Sequence, residues 1–446
     1  MRKITFILLL PVLFLSCNSK NEISDLRPNI VLIMADDLGY GDIACYGNTT
    51  VKTRNIDLLA AEGVKFMDFH SNGAVCSPTR AALMTGKYQQ RTGVGGVITA
   101  KNHREVGLSL NEITIAEELK KHEYNTGIFG KWHLGYSKEF NPTIQGFDEY
   151  TGFVSGMIDY HAHIDPMGYL DWWKGTKIEN EEGYSTDLIT KYGVKFIEEN
   201  NPKKTGKPFF LYIPHEAPHS PYQRRIDKAL RKVGVAGTEP VHSDSISSIY
   251  KEMVEVMDEG IGKIMQVLKE TGQYKNTIVI FLSDNGANRN GNNGDLRGYK
   301  AGVYEGGTRV PAIIRYPNKI KKGTLNNQTV LTMDVLPTLL DFIGQKPSSE
   351  SIDGISIKDN LIHRTNLPSR DVFFAFGNKS FIRSGDWKLV RIKSKSGDKI
   401  ELYNLSNDLQ ESNNLSSYNP DLIYKLIGKL KIWEKEVQEG VELISK

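Results

Sequence analysis

Three runs of continuous apolar residues constrain this chain more than any other feature. They are Asn29–Ala35 (NIVLIMA), Pro208–Ile213 (PFFLYI) and Thr277–Ser283 (TIVIFLS). A strand with one wet face alternates apolar and polar residues. A run with no polar face reads as a strand covered on both sides, as in a parallel sheet buried under helices. Val310–Arg315 (VPAIIR) is a weaker fourth run, because Pro311 has no N–H to give to a ladder. Helical periodicity fills the intervals. Ile246, Ile249, Met253, Met257, Ile261, Met265 and Leu268 recur at spacings of three and four, which predicts a long helix. Shorter helices are expected over Ser109–Lys121, opened by a Ser cap, and over Met333–Ile343. Strands alternating with helices give an α/β fold with a mostly parallel sheet.

The pattern changes near residue 345. Gln345–Ser351 is polar, and beyond it Val372–Phe376, Phe381–Ser384, Trp387–Ile392 and Ile400–Leu405 read as short strands. The turn sequences Ser384-Gly385-Asp386 and Ser396-Gly397-Asp398 separate the later ones, which predicts an antiparallel sheet. A final helix, Pro420–Val437, places Leu422, Leu426, Leu430 and Trp433 on one face. The expected organisation is a large α/β/α domain over 27–345 and a small C-terminal α+β domain over 352–446.

The first residues read as a targeting segment. Arg2 and Lys3 precede the apolar run Ile4–Leu15, which is too short to cross a bilayer. Leu15-Ser16-Cys17 then resembles a bacterial lipoprotein signal over residues 1–17, with Cys17 lipidated, although Phe14 loosens the match. Plain secretion with cleavage nearby is the alternative. Either reading puts the protein outside the cytoplasm, in the periplasm or on the cell surface, with a membrane attached only through a lipid anchor. Charge excludes another class. Lys+Arg 56 against Asp+Glu 53 gives +3 with the signs mixed, so no concentrated basic face for nucleic acid is expected. Three cysteines do not make a disulfide scaffold, and an unpaired Cys76 in an oxidising compartment needs a reason.

Two acidic motifs end two of the buried strands: Asp36-Asp37, and Asp284-Asn285 within Ser283–Gly286. Ligands gather outside the carboxyl ends of strands in open α/β sheets. Three carboxylates and one amide oxygen suit a hard cation, Ca²⁺ or Mg²⁺. Either motif alone also reads as a turn. The third motif is Cys76-Ser77-Pro78-Thr79-Arg80, followed by Thr85-Gly86-Lys87-Tyr88. Its early proline marks a helix N-terminus, which offers unpaired N–H groups to an anion. Arg80, four residues on, adds a fixed fork of donors. A nucleophile there, backed by arginine and a divalent cation, fits displacement on a sulfate or phosphate ester; the plain alternative is a buried cysteine in an ordinary helix.

With these motifs, and with Gly130–Gly135 (GKWHLG), Ala217-Pro218-His219 and Tyr304–Arg309 (YEGGTR) in the same order, the chain resembles the type I, formylglycine-dependent sulfatases of the alkaline-phosphatase-like superfamily. The resemblance covers roughly Arg27 to Leu405. It implies a sulfuric ester hydrolase in which a separate maturase oxidises Cys76 to Cα-formylglycine (3-oxoalanine). It implies one Ca²⁺ held by Asp36, Asp37, Asp284, Asn285 and the modified Cys76. Arg80 and Lys131 would support the formylglycine and the sulfate charge. His133 would take a proton from its second hydroxyl during sulfate release. His219, as general acid, and Lys300 would flank the leaving oxygen. The implied substrate is a sulfated oligo- or polysaccharide, either an algal polymer such as ulvan or carrageenan or a glycosaminoglycan. The physical need is independent of the family. A sulfate ester is an anion attacked by an anion, so the site must concentrate positive charge.

Other readings remain beside this one. His215-Glu216-Ala217-Pro218-His219 matches the zincin pattern H-E-x-x-H, but two prolines and a preceding strand make it a loop, where the imidazoles cannot share a helix face. A phosphodiesterase or phosphonate monoester hydrolase of the same superfamily is the nearer rival. A non-catalytic lipoprotein that binds sulfated glycans would follow if Cys76 were never converted. Ser155, His161 and His163, with Trp172-Trp173 nearby, are candidate substrate contacts or simple surface packing.

Overall fold

The computed structural model describes residues 27–237 and 243–444. The targeting segment and Cys17 lie outside the described residues. Among the described residues, no helix is long and apolar enough to cross a membrane.

Asn29–Ala35 is the central strand of a ten-stranded sheet and is buried along its whole length. It pairs in parallel with Phe209–Pro214 on one side and Thr277–Ser283 on the other, so that Ile33 faces both Ile213 and Phe281. Asn125–Lys131 and then Glu149–Phe153 extend the parallel block. Ile30, Leu32 and Met34 enter one apolar core, and Val31, Ile33 and Ala35 the opposite one. This two-sided burial is why the run has no polar face. One core is covered by Cys76–Thr85, Ile115–Lys121 and Val335–Phe342, the other by Arg54–Ala61, Ser185–Glu199 and the long Ser243–Glu270 helix.

Ala312–Arg315 is antiparallel to both of its neighbours, Thr277–Ser283 and Val64–Phe66. Pro311 stands just before it, where it contributes only its carbonyl, accepting from the Ser283 N–H at 3.3 Å. One helix begins later than its sequence implies. It runs Ile115–Lys121, not from Ser109, because Thr114 and Glu117 form a reciprocal capping box. Ser109 and Glu112 carry the same spacing but form only a turn, with the Glu112 N–H donating to the Ser109 carbonyl.

Four antiparallel strands in sequence order, Asp371–Phe376, Lys379–Ser384, Trp387–Ile392 and Lys399–Asn404, form the C-terminal sheet. The Pro420–Glu436 helix buries Leu426, Leu430 and Trp433 against it. Trp433 stacks on Phe373 and meets Tyr88, which follows the Cys76–Thr85 helix, edge-on, so the C-terminal sheet's helix packs against the flank of the large sheet.

Candidate active site

The carboxyl ends of the parallel strands converge on one buried cluster. Asp36 and Asp37 follow the central strand, Asp284 and Asn285 follow Thr277–Ser283, and Lys131 ends Asn125–Lys131. Cys76 is the first residue of the Cys76–Thr85 helix, and Val75 before it is extended, so the chain enters the helix at the cluster. Asp36, Asp37, Asp284 and Asn285 are each at most 1% exposed. Gly286 allows the approach of the neighbouring loop, since a Cβ there would lie 1.9 Å from the Gly306 carbonyl oxygen.

The contacts interlock. Cys76 Sγ lies 3.4 Å from Asp36 Oδ1 and 3.5 Å from Lys300 Nζ. Lys131 Nζ donates to Asp36 Oδ2 at 2.5 Å. Arg80 donates to Asp284 Oδ2 and to the Lys131 carbonyl, both at 3.1 Å. Lys300 Nζ is 2.6 Å from Asp37 Oδ1, and His219 Nε2 is 3.6 Å from Asp37 Oδ2. Asp37 is held at φ 64°. All five metal candidates and five of the six catalytic candidates named from the sequence therefore lie in this cluster, and His133, the sixth, lines the cavity beside Cys76.

The donor set fits a hard cation. Asn285 Oδ1 is buried without a hydrogen-bond partner, while its Nδ2 donates to Asp37 Oδ1 at 2.8 Å. Ligand atoms of Asp36, Asp37, Cys76 and His219 all lie within 4.8 Å of one another. Arg80, Lys131 and Lys300 balance the three carboxylates, so a divalent cation would leave the site positive toward an anionic ester.

The electrostatics set protonation states. Burial, then the charge of Asp36, pushes the Cys76 thiol up to about 12. As a thiol it is therefore protonated and inert at neutral pH. Burial and Asp36 also push Asp284 up to about 6. Burial would raise Asp37, but Lys300 and His219 overcome it and hold the carboxyl well below its usual range. Burial, with Lys131 and Arg80 nearby, keeps His133 well below the ordinary imidazole range, and burial with Lys300 brings His219 down to about 3. The neutral tautomers follow from their partners. His133 Nε2 lies 2.8 Å from the Ile98 carbonyl, so it carries the proton and the buried Nδ1 keeps a lone pair. His219 Nδ1 lies 2.6 Å from the Ser220 carbonyl, which leaves Nε2 as its free nitrogen.

A cavity of about 300 Å³ opens beside Cys76, with His133, His219 and Lys300 in its lining and Ile98, Tyr136 and Met157 among its apolar walls. Three substrate candidates are not in that lining. The Ser155 hydroxyl donates to the Met157 carbonyl at 2.9 Å. His161 Nε2 donates to the Arg224 carbonyl and His163 Nε2 to the Gly183 carbonyl, each at 3.0 Å. His163 also stacks on buried Trp172, so these rings pack the loop. The H-E-x-x-H segment is a loop, as its prolines require. Sequence reasoning missed Asn288, whose Nδ2 lies 3.3 Å from Asp37 Oδ2. Its position three residues after Asn285 was the available signal.

The profile of the Sulfatase family matches residues 28–345. The chain belongs to the sulfatase family. This sulfatase is thus a sulfuric ester hydrolase, and a second profile, N-sulphoglucosamine sulphohydrolase, C-terminal, matches 298–438. It is 34% identical over 375 residues to N-acetylgalactosamine-6-sulfatase of Mus musculus, covering 79% of this chain and 69% of that protein. It is 32% identical over 376 residues to arylsulfatase A of Homo sapiens, covering 78% and 70%. Among solved structures, Ps i-CgsB in complex with k-i-k-neocarrahexaose superposes with a TM-score of 0.83 at 29% identity, covering 93% of this chain and 95% of that one.

Proposed function

We propose that this sulfatase removes sulfate from a sulfated carbohydrate outside the cytoplasm, with formylglycine made from Cys76 and one Ca²⁺. The observation that carries the reading is the setting of Cys76. Its Sγ stands where the formylglycine hydroxyls would lie, between Asp36 and Lys300, in a thiol form that is unreactive as it stands. Asp36, Asp37, Asp284 and Asn285, with residue 76, would hold the cation. When bound, it supplies Lewis-acid polarisation of the sulfate oxygens and stabilises the ionised nucleophile.

This chain's residues do the rest. Arg80 and Lys131 fix the carboxylates on one side and present positive charge to the sulfate. Lys300 stands over Cys76 from the opposite loop. His133, fixed by Ile98, has Nδ1 free to accept the proton of the second hydroxyl on residue 76. His219 lines the cavity with Nε2 unprotonated, so it serves as acid to the leaving oxygen only after Nε2 takes up a proton, which the arriving sulfate's negative charge favours. The carbohydrate reading draws on relatives that act on or bind sulfated sugars, including N-acetylgalactosamine-6-sulfatase and the carrageenan-oligosaccharide complex. The basic, apolar segment before Cys17 supports export with a lipid anchor. The test is sulfate release by the matured protein from a panel of defined carrageenan and glycosaminoglycan oligosaccharides. Turnover of at least one, and none by Cys76→Ala, is expected; turnover of aryl or phosphate esters alone would contradict the carbohydrate assignment.

A further inference from the structure

One wall of the cavity has no task in the reaction above. Lys101, Tyr136, Pro166 and Met167 line it. Against this wall Arg104 is held between two tyrosine rings, its guanidinium carbon 4.2 Å from the Tyr169 centroid and 5.5 Å from that of Tyr136. Its Nη2 lies 2.8 Å from Asp165 Oδ2. Asp165 is buried, and its other oxygen accepts the N–H groups of Met167 at 2.8 Å and Tyr169 at 3.0 Å. One carboxylate thus fixes both the arginine and the loop that forms the wall.

A guanidinium stacked and tethered in this way has little rotamer freedom left to lose on binding. Its side chain nevertheless keeps 37% exposure, and Tyr169 keeps 58%. The uncovered edge of the fork fits an oxyanion, and the uncovered tyrosine ring fits the C–H face of a sugar. Lys101 comes from the same short loop, which is closed by the Thr99 N–H donating to His103 Nδ1 at 3.0 Å. Lys101 is exposed and makes no ion pair among the described residues.

We propose that Lys101, Arg104 and Tyr169 form a subsite for a second anionic group, a sulfate or a carboxylate, on the sugar next to the one that loses its sulfate. This rests on the carbohydrate-sulfatase reading and narrows its substrates to glycans charged on adjacent sugars. It also gives the enzyme a reason to hold a charged arginine outside the reacting cluster.

Calorimetry on the full chain, produced without a maturase so that no turnover occurs, tests the subsite directly. Two probe pairs separate the possible anions. One is neocarrabiose with a sulfate on one sugar against the same disaccharide sulfated on both. The other is a sulfated chondroitin disaccharide against its carboxyl-reduced form. In at least one pair the member with the charged neighbour is expected to bind roughly tenfold tighter. Lys101→Ala and Arg104→Ala should shrink that difference and leave the singly charged member unchanged. The exposed Lys101 variant keeps the test valid if Arg104→Ala unsettles the loop. No discrimination in either pair, or discrimination that survives both substitutions, overturns the proposal. Failure of the matured enzyme to release sulfate from any probe would instead overturn the reaction and leave the affinity difference standing.

Discussion

Lys300 Nζ lies 3.5 Å from Cys76 Sγ, although 224 positions separate the two residues in the chain. The same ammonium is 2.6 Å from Asp37 Oδ1. Burial works against this charge, yet Asp37 and then Cys76 hold Lys300 well above its ordinary range, so it stays cationic where the reaction accumulates negative charge. Lys300→Ala is expected to lower kcat/KM by roughly two to three orders of magnitude, about 3–4 kcal/mol, the range found for removing one preorganised charge-stabilising donor. Steady-state kinetics with an unchanged melting profile is the check, and a loss below about threefold would contradict the role.

Chelation should abolish activity in the matured enzyme, and Ca²⁺ should restore it. Asn285 Oδ1 has no partner and the carboxylates of Asp36, Asp37 and Asp284 share the cluster, so a bound ion would also stabilise the folded state. Thermal unfolding should shift upward with added Ca²⁺, by about 2.7 kcal/mol at a hundredfold excess over Kd. Full activity in excess chelator, or no thermal shift, counts against the ligand set.

A second buried network ties the C-terminal sheet to the short helix Glu305–Thr308. Lys388 Nζ lies 2.9 Å from Glu305 Oε1 and 2.8 Å from Glu411 Oε1, with all three side chains at 0% exposure. Burial alone would raise Glu305, but Lys388 and Arg309 hold it well below its usual range. Lys388→Ala would strand these carboxylates and should destabilise the protein by about 3–5 kcal/mol. Urea unfolding measures this, and a change under about 1 kcal/mol would show that water or another cation replaces the lysine.

The fold was legible wherever burial was two-sided. Residues 29–35 and 277–283 carry that condition in every position. The two strands at one end of the sheet, Trp173–Lys174 and Lys177–Ile178, are too short to carry a pattern. The start of the 115–121 helix was ambiguous because Ser109 with Glu112 and Thr114 with Glu117 present the same capping spacing, and only tertiary placement decides between them. The Asp36-Asp37 and Asp284-Asn285 charges were legible because they sit in short motifs at strand ends, whereas Lys300 lies in a loop with no such pattern and entered only through the family resemblance. Lys388, Glu305 and Glu411 share no local pattern: Glu305 lies 83 positions from Lys388 and 106 from Glu411. For His161 and His163 ligand contact and packing stayed open alternatives, because a sequence does not show which backbone carbonyl an imidazole will meet.

His215 gives a stability prediction with a defined sign. It is buried, its Nδ1 has no partner, and burial alone brings it from 6.5 to about 3. The unfolded chain therefore takes up this proton first as pH falls. The contribution is intact above the unfolded value and is lost on going down toward 3, at about 1.4 kcal/mol per pH unit. His215→Phe should flatten the acid limb of the stability curve by that slope, measured by urea unfolding at several pH values. Parallel curves for the two proteins would contradict it.

Mass spectrometry of the peptide carrying residue 76, from protein made with and without a maturase, tests the central claim most directly when paired with a sulfate-release assay on the same samples. Exchange of sulfur for oxygen at residue 76 is expected in the maturase sample alone, with activity rising in proportion to the converted fraction. Undiminished sulfate release from protein whose residue 76 is still entirely cysteine would contradict it.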